Sequence, residues 1–129
     1  MVSLVFSYRF PGKYALTALA GAVEAHPEFA SVPLLLPRNT TELIETIRSE
    51  QARGAKVIVA WSFYSPSFPE CANELRQVRQ ACAPFLAIAG GVHATAEPLE
   101  SLRGGFDLIC IGEGERPFIE LVRRVRDGQ

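Results

Sequence analysis

Five short apolar runs alternate with five segments of helical period along this chain, and that order leaves few folds open. The runs are Val2 to Ser7, a stretch within Ala30 to Leu36, Lys56 to Ser62, Pro84 to Ala89 and Phe106 to Ile111. Each has the length of a strand. The segments between them space apolar side chains three and four residues apart, as in Leu16, Leu19, Ala20 and Val23, or in Phe118, Leu121, Val122 and Val125. Strands alternating with helices argue for a parallel sheet covered on both faces. With right-handed crossovers the five-strand solution is an α/β, flavodoxin-like (Rossmann-type) three-layer sandwich with strand order 2-1-3-4-5.

The punctuation fits that order. Pro11-Gly12 breaks the first run, and His26-Pro27 closes the first helix, with His26 a helix-end residue. Pro33 favours a sheet edge for the second strand. Asn39-Thr40-Thr41-Glu42 has the form of a helix cap, opening a helix that runs to about Arg53 and stops at Gly54. The third helix is expected over Pro69 to Cys82 with Leu75 and Val78 inward, and a short helix from Glu97 to Leu102 ends at Gly104-Gly105. A length of 129 residues without repeats or linkers suits one domain.

A net charge of −1 gives no broad basic field to attract nucleic acid. The one dense basic cluster, Arg123, Arg124 and Arg126, ends the last expected helix, where cations complement the helix dipole and stay solvated. No apolar run reaches the roughly 20 residues of a membrane span. Met1 to Phe6 enter a strand pattern without a basic leader, so a cytoplasmic location is expected. Cys71, Cys82 and Cys110 are too widely spaced for a Cys-x-x-Cys motif and odd in number, which argues against a disulfide framework. Cys110, inside an apolar run, reads as a small core residue.

In the expected fold the loops after strands one, three, four and five gather at the carboxyl edge of the sheet, where ligands bind in open α/β folds. They bring together Tyr8 to Gly12, Ser62 to Pro66, Gly90 to Thr95 and Gly112 to Glu115. Hydroxyls and bare glycine amides can hydrogen-bond a phosphate, ribose or amide, while Tyr8, Phe10, Phe63 and Tyr64 add flat apolar surface. Glycines that merely turn the chain tightly are the competing reading. There is no Gly-x-Ser-x-Gly elbow and no Walker phosphate loop. Ser7 and Ser62 stand where a phosphoacceptor receiver domain needs acidic residues.

Gly90-Gly91-Val92-His93-Ala94-Thr95, the Gly-Phe-Asp segment Gly105 to Asp107, and Gly112-Glu113-Gly114-Glu115 with Phe118 beyond resemble the N-terminal cobalamin-binding domain of radical S-adenosylmethionine enzymes. The resemblance implies a flavodoxin-like fold whose rim holds the corrin ring. It makes Tyr8, Arg9, Gly12, Ser62, Phe63, Tyr64, Gly90, Gly91, His93, Thr95, Gly112, Glu113, Gly114 and Glu115 the cofactor-binding set, with no catalytic residue in this chain. In the broader cobalamin-binding pattern, Asp-x-His-x-x-Gly follows strand one, Ser-x-Leu follows strand three and Gly-Gly follows strand four. Gly12, Ser62 and Gly90-Gly91 match it, whereas Ser7 replaces the aspartate and Arg9 replaces the cobalt-ligating histidine. A guanidinium has no lone pair to give a metal, so Arg9 cannot be the lower ligand. His93 is either a substitute ligand or a structural turn residue. Glu113 and Glu115 either cap the last helix or contact a ligand or neighbouring domain.

The same resemblance implies a catalytic barrel elsewhere, carrying a 4Fe-4S cluster and S-adenosylmethionine. The cluster motif of that family, Cys-x-x-x-Cys-x-x-Cys, is not provided by Cys71, Cys82 and Cys110. The chain is therefore expected to be the front of a longer enzyme, ending at Gln129 before its C-terminal partner barrel, and to use neither nucleic acid nor membrane. Two other readings stay open: a flavodoxin-type module for another nucleotide cofactor such as flavin mononucleotide, and a cofactor-free scaffold that only docks on the barrel.

Overall fold

The fold is given by a computed structural model that describes residues 1–7, 20–62, 68–90, 98–109 and 115–128. Its strands are β1 (Val2–Phe6), β2 (Leu34–Leu35), β3 (Lys56–Ser62), β4 (Leu86–Gly90) and β5 (Leu108–Ile109). The helices are α1, described over residues 20–24, then α2 (Thr40–Ala52), α3 (Phe68–Ala81), α4 (Pro98–Arg103) and α5 (Glu115–Arg126). All pairings are parallel, and the strand order is β2-β1-β3-β4-β5, the flavodoxin-like order expected from the sequence.

The sheet is buried on both faces, and the strand alternation sorts its residues between them. Val5, Val57, Val59, Trp61, Ala87 and Ala89 pack with Leu43 and Ile47 of α2 and Leu75 and Val78 of α3. On the other face Leu4, Phe6, Ile58, Ala60 and Ile88 pack with Val23 of α1 and Phe118 and Val122 of α5. Edge-to-face rings close both layers, Trp61 against Phe106 at 5.6 Å and Phe6 against Phe118 at 5.8 Å. Asn39 caps α2 by accepting from the Glu42 backbone N–H at 2.9 Å. Glu42 reaches back to the Asn39 side-chain amide, at 3.1 Å, rather than to its backbone.

Three sequence expectations are refined. After α1 the chain adds a 3-10 turn at Pro27–Phe29, which tucks Phe29 into the core. The basic cluster at the end of α5 is a clasp as well as a dipole partner. Arg123 and Arg126 both bond Glu28, and Arg126 lies over the Phe29 ring. Hydrogen bonding from Arg123, reinforced by Arg126, holds the Glu28 carboxyl below its ordinary value. Third, β5 starts at Leu108 and not Phe106, because Phe106 turns inward onto Trp61 while Asp107 bonds through its side chain.

The Gly105-Phe106-Asp107 segment thus has a structural role. Gly105 sits at φ +108, which only glycine adopts without strain, and the Leu75 side chain lies 3.4 Å from where a Cβ would stand. Asp107 donates its backbone N–H to the Ala87 carbonyl and accepts the Ala87 N–H on its carboxylate, each at 2.8 Å. Arg79 fastens the turn by donating to the Gly105 carbonyl and the Asp107 carboxylate while lying over Phe85. Removing this carboxylate leaves the Ala87 N–H without its acceptor. Asp107→Ala is expected to lower stability by about 1–2 kcal/mol in a urea unfolding titration, and an unchanged midpoint would contradict the role.

Candidate functional site at the carboxyl edge of the sheet

Strands β3 and β4 reach the carboxyl edge level with each other, two levels beyond the end of β1. Phe6 pairs with Ala60 and Ala60 with Ile88, and the β3–β4 ladder continues through Trp61 and Ala89 to Ser62 and Gly90. The pair Ser62 and Gly90 is the last described level of the central sheet before the stretches 63–67 and 91–97. Both residues are half-buried. One therefore offers a hydroxyl and the other a backbone without a side chain, at adjacent points of the carboxyl edge. Such a pair lets a flat group or a nucleotide tail come close to the chain and find a hydrogen-bonding partner there.

Of the expected cofactor-binding residues, the structure brings Ser62 and Gly90 together and places Glu115 at the first position of α5. Tyr8, Arg9, Gly12, Phe63, Tyr64, Gly91, His93, Thr95, Gly112, Glu113 and Gly114 lie outside the described residues, as does Cys110. The described histidine, His26, follows α1 and donates from Nδ1 to the Ala22 carbonyl at 2.8 Å, as befits a helix-end residue. Among the described residues no group of three His, Cys, Asp or Glu side chains could hold a metal ion, and no helix is long and apolar enough to cross a membrane.

Ser7 takes an unexpected role. Its backbone N–H continues the sheet by donating to the Ala60 carbonyl at 2.9 Å, while its hydroxyl turns into the molecule and donates to Glu74 Oε1 at 2.8 Å. Glu74, on α3, is 4% exposed. It also accepts from Trp61 Nε1 at 2.8 Å and from Thr40 Oγ1 at 2.6 Å. A buried carboxylate needs such donors to offset its lost hydration. Sequence reasoning missed this cluster. The available signal was a glutamate within the inward stripe Cys71, Leu75 and Val78 of α3, with a serine just past the end of β1 on the face that α2 and α3 cover.

The opposite end of the sheet is different in kind. There a groove of about 720 Å³ is lined by Lys56, Phe85, Leu86, Leu108, Leu121 and Val125, mostly apolar residues at the starts of β3, β4 and β5 and on α5. It lies at the amino ends of these strands, away from Ser62 and Gly90.

Removing the Glu74 carboxylate would leave the buried Trp61 N–H without this acceptor. Glu74→Ala is expected to cost about 2 kcal/mol by thermal or urea unfolding, and a variant as stable as the parent would show that the cluster contributes nothing net.

Comparison with known proteins agrees with the topology. The family model described as B12 binding domain matches residues 11–122. The N-terminal domain of a hypothetical protein from Thermotoga maritima, known from its crystal structure, is similar with a TM-score of 0.63 and 28% identity, over 84% of this chain and 81% of that one. No curated protein matches the chain.

Proposed function

The chain belongs to the B12-binding domain family, and from that premise we propose that it holds cobalamin at the carboxyl edge of its sheet, as the front domain of a radical S-adenosylmethionine enzyme. The observation that carries the first half is the level ending of β3 and β4 in the pair Ser62 and Gly90. A hydroxyl beside a residue with no side chain fits the nucleotide tail and amide-fringed ring of a corrinoid, which need hydrogen bonds and close approach to backbone. Ser62 would bond the cofactor and Gly90 would make room for it. Around them, Tyr8, Arg9, Gly12, Phe63, Tyr64, Gly91, His93, Thr95, Gly112, Glu113, Gly114 and Glu115 complete the proposed rim.

The second half rests on sequence. Gly90-Gly91-Val92-His93 followed by Gly112-Glu113-Gly114-Glu115 is the combination that resembles the radical enzymes. On this reading a C-terminal barrel, with its 4Fe-4S cluster and S-adenosylmethionine, is the partner that performs the reaction, and the location is cytoplasmic. Bound cobalamin would supply a cobalt centre that carries a methyl group or serves a related radical reaction. This chain's own part is to bind the cofactor, orient its ring and keep a defined face toward that partner. Arg9 cannot coordinate cobalt, so the reading has the cofactor held without a ligand from that position.

Hydroxocobalamin mixed with the protein and passed through gel filtration tests the proposal. The corrin absorbance is expected to co-elute with the chain, and to be lost from Gly90→Val, where a branched side chain fills the close-approach point. Arg9→Ala is expected to leave the cobalt spectrum unchanged, and a spectral shift with His93→Ala alone would make His93 the ligand. No co-elution at high micromolar cofactor would favour the cofactor-free scaffold, and retention of flavin mononucleotide instead would favour the other nucleotide module.

A further inference from the structure

Glu74 ties together segments that are far apart in sequence. Its Oε1 receives Ser7, the residue that follows β1, and Trp61, the penultimate residue of β3. Its Oε2 receives Thr40, the first residue of α2. These donors sit where their segments reach the carboxyl edge, so one buried carboxylate fixes the spacing between two strand exits and a helix start. An apolar side chain at position 74 would continue the stripe of Cys71, Leu75 and Val78 without the cost of burying a charge. What the carboxylate provides and an apolar residue cannot is direction, since hydrogen bonds specify both distance and angle.

A built-in comparison lies at the other end of the same strand. Glu50 of α2 is 6% exposed and accepts from Ser3 Oγ at 2.6 Å, with Arg53 at 3.1 Å. The chemistry is alike, but Ser3 lies near the amino end of β1.

We infer that Glu74 is a positioning residue for the cofactor site: acting through Ser7 and Trp61, it holds the exits of β1 and β3 in the geometry that receives the ligand. This rests on the reading of the carboxyl edge as the cobalamin site. Pre-organisation of this kind raises affinity because less ordering remains to be done on binding.

The test compares Glu74→Ala, Glu74→Gln and Glu50→Ala in the whole chain, under conditions where circular dichroism shows each folded. The first readout needs no cofactor: amide exchange at Ser7, whose N–H bonds the Ala60 carbonyl. The second is the dissociation constant for hydroxocobalamin, from quenching of Trp61, the single tryptophan of the chain. Glu74→Ala is expected to speed Ser7 exchange beyond any effect of Glu50→Ala and to weaken hydroxocobalamin about tenfold, while Glu50→Ala leaves affinity unchanged. Glu74→Gln is expected to stay close to the parent in both. Its amide oxygen can keep Ser7 and Trp61, and its nitrogen can donate to the Thr40 hydroxyl.

Equal effects of Glu74→Ala and Glu50→Ala, or a Glu74→Gln as impaired as Glu74→Ala, would overturn the inference. Should Glu74→Ala fail to fold, Thr40→Val removes the Thr40 donor to Oε2 while leaving the Ser7 and Trp61 bonds to Oε1, and it is expected to shift both readouts in the same direction, with no shift counting against the inference. A parent chain that does not bind hydroxocobalamin would sink the cofactor reading. In that case a Ser7 exchange rate specific to Glu74→Ala would still support positioning of this edge, and its absence would overturn that too.

Discussion

The pairing of β3 with β1 on one side and β4 on the other is the constraint from which the rest follows. Val5, Val59 and Ala87 lie level across the three strands, as do Phe6, Ala60 and Ile88. A parallel sheet covered on both faces tolerates no slip, because shifting one strand by a residue would exchange its two sets of side chains. That register decides which residues face α2 and α3 and which face α1 and α5. It also decides that Ser62 and Gly90 finish side by side. The candidate site is thus a consequence of core packing, several residues removed from the edge where it becomes visible.

Two buried glutamates mark the two ends of β1 on a single face. Ser3, Val5 and Ser7 face α2 and α3, and the two serines bond Glu50 and Glu74 respectively. Each carboxylate gives up hydration, and each recovers part of that loss through donors held by the fold. The difference is what those donors belong to. Glu50 joins a strand start to its own helix, with an exposed arginine beside it. Glu74 joins three segments that converge on the edge proposed to hold the cofactor.

Much of the fold was legible because it is written in local patterns. The bounds of β3, the Asn39 cap, the inward Leu75 and Val78 and the strand order all follow from periodicity and punctuation. What escaped is what long-range contacts decide. Nothing near Asp107 reveals that its side chain will take the Ala87 N–H and delay the start of β5, and nothing near Arg123 reveals a partner 95 residues earlier at Glu28. Ser7 was legible as a departure from a cobalamin-binding pattern, but not as the donor to a carboxylate 67 residues away. Of the candidate site, Ser62 and Gly90 were read correctly as neighbours at the carboxyl edge, since strand length and sheet order suffice to bring them there. Tyr8, Arg9, Gly12, Phe63, Tyr64, Gly91, His93, Thr95, Gly112, Glu113 and Gly114, expected around them from the glycine and aromatic loop pattern, lie outside the described residues.

Both ends of the sheet present surface to a ligand, the polar edge at Ser62 and Gly90 and the apolar groove by Lys56 and Leu86. Which end a corrinoid chooses is the most direct question to ask of this molecule. Titrating hydroxocobalamin into the ¹⁵N-labelled chain and following backbone amides by NMR answers it. The account predicts saturable shifts at Ser7, Ser62 and Gly90, with Lys56, Leu86 and Leu108 unmoved. Shifts confined to the amino-end groove, or none at either end, would contradict it.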